Sequence, residues 1–108
     1  SDFRPYSDLG PMLAALGRRD EAIATARRAV DLMPRAKDAE AAVRPADNLA
    51  LTYAILGDYD TASALAEERI QARPGTLTIV KMRVDPRWSG FAASPQFQEL
   101  ARRYPAQR

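Results

Sequence analysis

Three pairs of carboxylates stand close enough along the chain to suggest acid–base work: Asp38 with Glu40, Asp58 with Asp60, and Glu67 with Glu68. A catalytic acid and base need contrasting environments, one of them desolvated, so that their pKa values separate. These pairs fall on a connector, a helix start and a helix face, where capping and solvation account for them. "GDYD" (57–60) supplies two acids but lacks the remaining ligands of an Asp-x-Asp-x-Asp-Gly calcium loop. "LGPMLAALG" (9–17) has glycines without the spacing or the lysine of a phosphate loop. The chain has no cysteine and no histidine. It therefore has no thiolate nucleophile, no disulfide, and neither of the side chains most used for zinc. The expectation is a protein that is not an enzyme and carries no cofactor or metal.

The basic residues come as Arg18-Arg19, Arg27-Arg28, Arg35 with Lys37, and Arg102-Arg103. Nucleic-acid binding would want them on one face with aromatic rings between for stacking. Acids intervene instead, and the tyrosines fit helix-packing positions. With 16 basic and 14 acidic residues the net charge is only +2, a weak attraction for nucleic acid or an anionic membrane. No apolar run is long enough to span a bilayer. A chain of 108 residues with 46% hydrophobic and 28% charged residues reads as one small globular domain, residues 1–108. It begins at Ser1 rather than methionine, as an excised or processed piece does.

The elements that would position these side chains follow from an internal repeat. "LGPMLAALGRRDEAIATARRAVDLMP" (9–34) lies over "LALTYAILGDYDTASALAEERIQARP" (49–74) at a constant offset of 40 residues. Such a period marks stacked supersecondary units. Each unit reads as a helix hairpin. Gly17 and Gly57 end the first helices, where a left-handed residue is wanted. Asp20, Glu21, Asp58 and Asp60 open the second helices at the positive end of the dipole. Apolar stripes follow: Ala22, Ile23, Ala26, Ala29 and Val30, then Ala62, Leu65, Ala66 and Ile70. Their small alanines let facing helices approach closely. Pro34 and Pro74 stop these helices. Pro11 leaves two alternatives, a first helix that starts near Leu9 or one kinked at the proline.

Between the hairpins "RAKDAEAAVRP" (35–45) reads as a connector able to hold a helical turn, with Pro45 opening the next helix. After Pro74-Gly75 the pattern changes. "TLTIVKMRV" (76–84) could pass for a strand, but it would lack a partner, so a short helix is preferred. Its N-cap would be Thr76, with Leu77, Val80 and Val84 turned inward. Ser94-Pro95 is an N-cap and first-turn pair that launches a last helix. "DPRWSGFAASPQF" (85–97) holds the only tryptophan and two of three phenylalanines. The expectation is that Trp88, Phe91 and Phe97 cover the apolar end of the second hairpin, as the ends of repeat stacks require.

These glycines, alanines and prolines resemble the tetratricopeptide repeat. In the first unit Tyr6, Leu9-Gly10, Leu13, Ala22, Ala29 and Pro34 fall at its signature positions. In the second, Leu49-Ala50, Tyr53, Gly57, Ala62 and Pro74 do. Ala46, Ala26, Ala66 and Arg69 depart from the pattern, and the offset exceeds the usual period of about 34 residues. Together with "RVDPRWSGFAASPQFQEL", the chain also resembles the C-terminal repeat region of bacterial multidomain kinases, cyclases and winged-helix regulators.

The resemblance implies an all-α fold: repeat one over 3–36, a connector over 37–45, repeat two over 46–75, and a C-terminal cap over 76–108. It implies a non-catalytic protein-interaction or scaffold module with a concave groove, lined by Arg4, Asp8, Arg44, Asn48, Leu51 and Ile55. Partners would be a protein or peptide, neighbouring domains of a parent chain, or another copy, in the cytoplasm. A regulatory or self-association module of a larger signalling or transcription protein is the alternative.

Overall fold

The computed structural model describes residues 4–32, 39–72 and 76–105. Among them every regular element is helical. The order is α1 (Arg4–Ala15), α2 (Arg19–Leu32), α3 (Ala39–Leu56), α4 (Tyr59–Gln71), α5 (Ile79–Val84), a 3₁₀ turn (Pro86–Trp88), α6 (Ser89–Ala92) and α7 (Pro95–Arg103). The helices α1 and α2 form one hairpin and α3 and α4 the next, with α3 seated against both helices of the first. No described helix is long and apolar enough to cross a membrane.

The two hairpin loops are built alike. Gly17 and Gly57 have φ of +78° and +84°, a conformation that a side chain would strain. Behind each glycine the chain closes a double hydrogen bond. Arg18 N–H donates to the Leu13 carbonyl and Gly17 N–H to that of Ala14, both at 3.0 Å. In the second hairpin Asp58 N–H reaches the Tyr53 carbonyl at 3.0 Å and Gly57 N–H that of Ala54 at 3.2 Å. This Schellman pattern satisfies carbonyls left over at a helix end. Asp58 then serves the next helix as well, its carboxylate accepting from Thr61 N–H at 3.3 Å.

The alanine stripes are buried as the spacing predicts: Ala22, Ala26 and Ala29 on α2, and Ala62 and Ala66 with Ile70 on α4. Gly10 allows the closest approach. A Cβ placed there would stand 2.8 Å from Ala26 Cβ and 3.0 Å from Thr52 Oγ1, so α1 is pressed against α2 and α3 at once. Arg27 adds a polar tie between the hairpins, donating to Tyr53 Oη at 2.8 Å with its guanidinium 5.8 Å from that ring's centre.

Pro11 and Pro45 both lie inside helices. Pro11 falls within α1, which starts at Arg4 rather than near Leu9. Pro45 falls within α3, which runs back to Ala39, so most of the expected connector is helix. "AEAAV" ahead of Pro45 is made mostly of good helix formers, and the buried proline removes a single backbone donor. Pro34 and Pro74 lie outside the described residues.

The C-terminal segment folds onto the second hairpin. Trp88 is 3% exposed, and Phe91 and Phe97 are fully buried. Phe91 sits at their centre, 5.8 Å from Trp88, 5.5 Å edge-on to Phe97 and 5.9 Å from Tyr59 of α4. Farther along, Glu67 of α4 accepts from Arg103 Nη2 at 3.0 Å and from Tyr104 Oη at 2.9 Å. These three rings cap the stack.

The expected face of α5 is corrected. Its N-cap is Thr78, which accepts from Lys81 N–H at 3.1 Å, and Thr76 instead gives its hydroxyl to Asp47 of α3. Starting the helix two residues later rotates its apolar side. Ile79 and Met82 enter the core beside Leu77, while Val80 and Val84 are left exposed.

Ser94 caps α7 as the Ser-Pro pair predicts. Its Oγ accepts from Phe97 N–H at 3.1 Å and donates to the Phe91 carbonyl at 2.6 Å. Ser94 is itself buried, so Ser94→Ala leaves the Phe97 N–H without its partner, while the Phe91 carbonyl keeps the backbone N–H of residue 94 at 2.9 Å. The expected cost is about 1–2 kcal/mol, measured as a fall in the urea midpoint with an unchanged slope.

Candidate functional site

A hollow of about 380 Å³ opens between the first hairpin, α3 and the C-terminal cap. Its sides are polar. Asp8 comes from α1, Asp47 and Asn48 from α3, and Lys81, Asp85 and Arg87 from the cap, while Leu51 and Trp88 form part of the lining. A second hollow of about 350 Å³ is mostly apolar, lined by Pro11, Met12 and Ala15 of α1 with Ile55 of α3. Asp8, Asn48 and Arg87 line both. The two hollows are thus neighbouring lobes of one groove.

Helical spacing explains the α3 wall. Asn48, Leu51 and Ile55 recur at three- and four-residue steps and share one side of the helix. Leu51 is only 1% exposed, so it supports the polar lobe from the core. Asp47 is fixed from behind, where Arg69 Nε of α4 donates to it at 3.2 Å and Thr76 Oγ1 donates from the other side. Arg69, a departure from the repeat pattern, thereby holds the groove wall to α4.

The cap wall is organised by "DPR". The Asp85 carboxylate accepts Arg87 N–H at 3.0 Å, which opens the 3₁₀ turn, and also pairs with the Arg87 guanidinium at 2.7 Å. The hydrogen bond from the Arg87 side chain holds the Asp85 carboxyl below its usual range, and the same contact raises the guanidinium. Asp8, across the groove, adds a smaller attraction to Arg87. Arg87 thus borders both lobes, and the Asp85 that pairs with it borders the polar one.

Of the six residues expected in the groove, the structure brings Asp8, Asn48, Leu51 and Ile55 together. Arg4 and Arg44 belong to α1 and α3, but their side chains lie outside the described residues. The sequence reading missed Met12, Asp47, Lys81, Asp85, Arg87 and Trp88. Asp85-Pro86 carried a usable signal, since it is a cap-and-proline pair like Ser94-Pro95. Nothing local placed it opposite α1.

The carboxylate pairs have structural employment. Asp58 caps α4, Asp60 accepts from Gln96 Nε2 at 3.0 Å, and Glu67 ties α4 to the chain end. Asp38 and the Glu40 side chain lie outside the described residues.

A tetratricopeptide-repeat profile matches residues 2–74. Repeats of this kind generally mediate protein–protein interaction and are generally not catalytic. Comparison with curated proteins finds no match, and comparison with solved structures finds none. The profile covers more than half of the chain, in agreement with the paired hairpins: the protein belongs to the tetratricopeptide-repeat family.

Proposed function

We propose that this chain is a non-catalytic interaction module that seats a protein segment in the groove between α1, α3 and the cap. The observation that supports it is the pairing of a polar lobe with an apolar one across shared residues. A short peptide could place an apolar side chain among Pro11, Met12, Ala15 and Ile55. Its neighbouring polar groups would meet Asn48, Lys81 and Arg87. The Asn48 amide offers both a donor and an acceptor, which suits a peptide backbone. Binding energy would come from the apolar anchor and orientation from the polar contacts.

The domain division 1–108 is retained in this proposal, with repeat two beginning at Ala39 inside the former connector. Neither nucleic acid nor membrane is proposed as a partner. Arg18 pairs with Glu21, Arg102 with Glu99, and Arg103 with Glu67, which breaks up any basic stripe. The second reading is a cytoplasmic regulatory module joined to a signalling or transcription domain. Its support is the Asp-Pro-aromatic ending, which docks on α3 and α4 here.

The test is selection of peptides from a displayed random library on the wild-type protein. Retention is then compared on Asn48→Ala/Ile55→Asp. Peptides that use the groove should lose at least about tenfold in affinity, the effect of roughly 1.4 kcal/mol. Equal retention of every selected peptide by the double variant sinks the groove reading.

A further inference from the structure

The polar lobe is lined by three carboxylates, Asp8, Asp47 and Asp85, against two cations, Lys81 and Arg87. By itself this lining would carry an excess of negative charge and repel an acidic ligand. Arg69, which stands behind the lining on α4, alters the balance. Its Nε donates to Asp47 Oδ1 at 3.2 Å, and Thr76 Oγ1 donates to Asp47 Oδ2. Both oxygens of the carboxylate are thereby engaged, in an ion pair that is partly buried on both sides. Repeat packing does not call for this arginine. At the 40-residue offset its counterpart is the buried Ala29, and that of Asp47 is Ser7. The other two carboxylates are answered inside the groove. Asp85 holds the Arg87 guanidinium at 2.7 Å, and Asp8 is drawn to the same group from across the groove. Lys81 differs from all of these. It is exposed and makes no ion pair among the described residues.

We propose that Arg69 determines which charge the groove accepts. By neutralising Asp47 from behind, it leaves Lys81 as the charge open to a ligand, and the seated segment carries an Asp or Glu side chain beside its apolar anchor. This rests on the groove reading above and adds to it the ligand's charge and the residue that sets it. The anchor enters among Pro11, Met12, Ala15 and Ile55. Its acidic neighbour passes Asn48, which lines both lobes, to reach Lys81. Such a contact is partly solvated, so it selects among ligands more than it tightens their binding. Arg69 touches no ligand in this arrangement and acts only through Asp47.

The experiment is a random library displayed with both ends inside a host protein, so that every ligand carboxylate comes from a side chain. It is selected on the wild type, Lys81→Glu, Arg69→Gln and Arg69→Gln/Asp47→Asn, with circular dichroism to follow the fold. On the wild type, Asp and Glu should outnumber Lys and Arg beside the apolar position by at least about threefold. Lys81→Glu should reverse that preference. Arg69→Gln should abolish it by freeing the charge of Asp47. Adding Asp47→Asn should restore it, which the loss of a merely structural tie would not allow. Peptides held through Asn48 and Ile55 without an acidic preference overturn this inference and leave the groove reading standing. Absence of any such peptide removes both. A preference that survives Lys81→Glu or Arg69→Gln, or that Asp47→Asn fails to restore, also overturns the proposal. So does an Arg69→Gln chain that no longer folds, since it assigns the arginine to the fold instead.

Discussion

Trp88→Ala should lower the unfolding free energy by about 3–5 kcal/mol, the range for deleting a large buried aromatic side chain. Trp88 is 3% exposed and packs on Phe91, which in turn contacts Phe97 and Tyr59. Removing the indole withdraws one wall from that cluster and loosens the contact between the 3₁₀ turn and α3. The hollow beside it lets water reach part of the space, which places the cost toward the lower end of the range. For a chain of this size that still means a fall in melting temperature of more than about 10 °C. A near-wild-type melting temperature would show that the cap is not part of the cooperative unit. The same variant also alters the groove lining, so it measures the fold and not the binding.

Gly10→Leu is expected to cost about 3 kcal/mol or more, the upper end for overpacking a close contact. Glycine in a helix interior ordinarily costs about 1 kcal/mol against alanine, so a stabilising effect of replacement is the naive expectation. The geometry reverses it. A Cβ at position 10 would meet Ala26 Cβ at 2.8 Å and Ala26 Cα at 3.3 Å, and neither atom can move without shifting α2. Thr52 Oγ1, 3.0 Å away, is also held, since it donates to the Asn48 carbonyl at 2.7 Å. The damage therefore spreads to the angle between hairpins and to the groove residue Asn48. Guanidinium denaturation followed by far-ultraviolet circular dichroism measures it. Stability equal to the wild type would mean that the helices are less tightly apposed than described.

Much of this arrangement is written locally. The paired glycines announce both hairpin loops because both positions need a left-handed backbone, and the alanine stripes announce which sides face inward. Ser94-Pro95 announces α7 through cap chemistry confined to four residues. The errors share a different cause. Pro45 reads as a helix start and Pro11 as either a start or a kink, yet each lies within a longer helix whose packing outweighs one missing hydrogen bond. Thr76 reads as a cap, yet its hydroxyl is claimed by Asp47, 29 positions away, and the helix start passes to Thr78. Lys81, Asp85 and Arg87 became groove residues only because the aromatic cap folds back toward α1. Side chains brought together over such distances leave no periodicity to read.

Trp88 is the only tryptophan in the chain, and it contacts the aromatic core on one side while bordering the polar hollow on another. The molecule thus carries a single strong fluorophore where its folding and its groove meet. Emission excited at the red edge of the absorption band comes from this indole alone, without a background from other tryptophans. A segment that settles into the polar lobe changes the water and charge around the ring, and unfolding exposes it altogether. Occupancy and unfolding can therefore be followed in the unlabelled protein, by one optical signal at one residue.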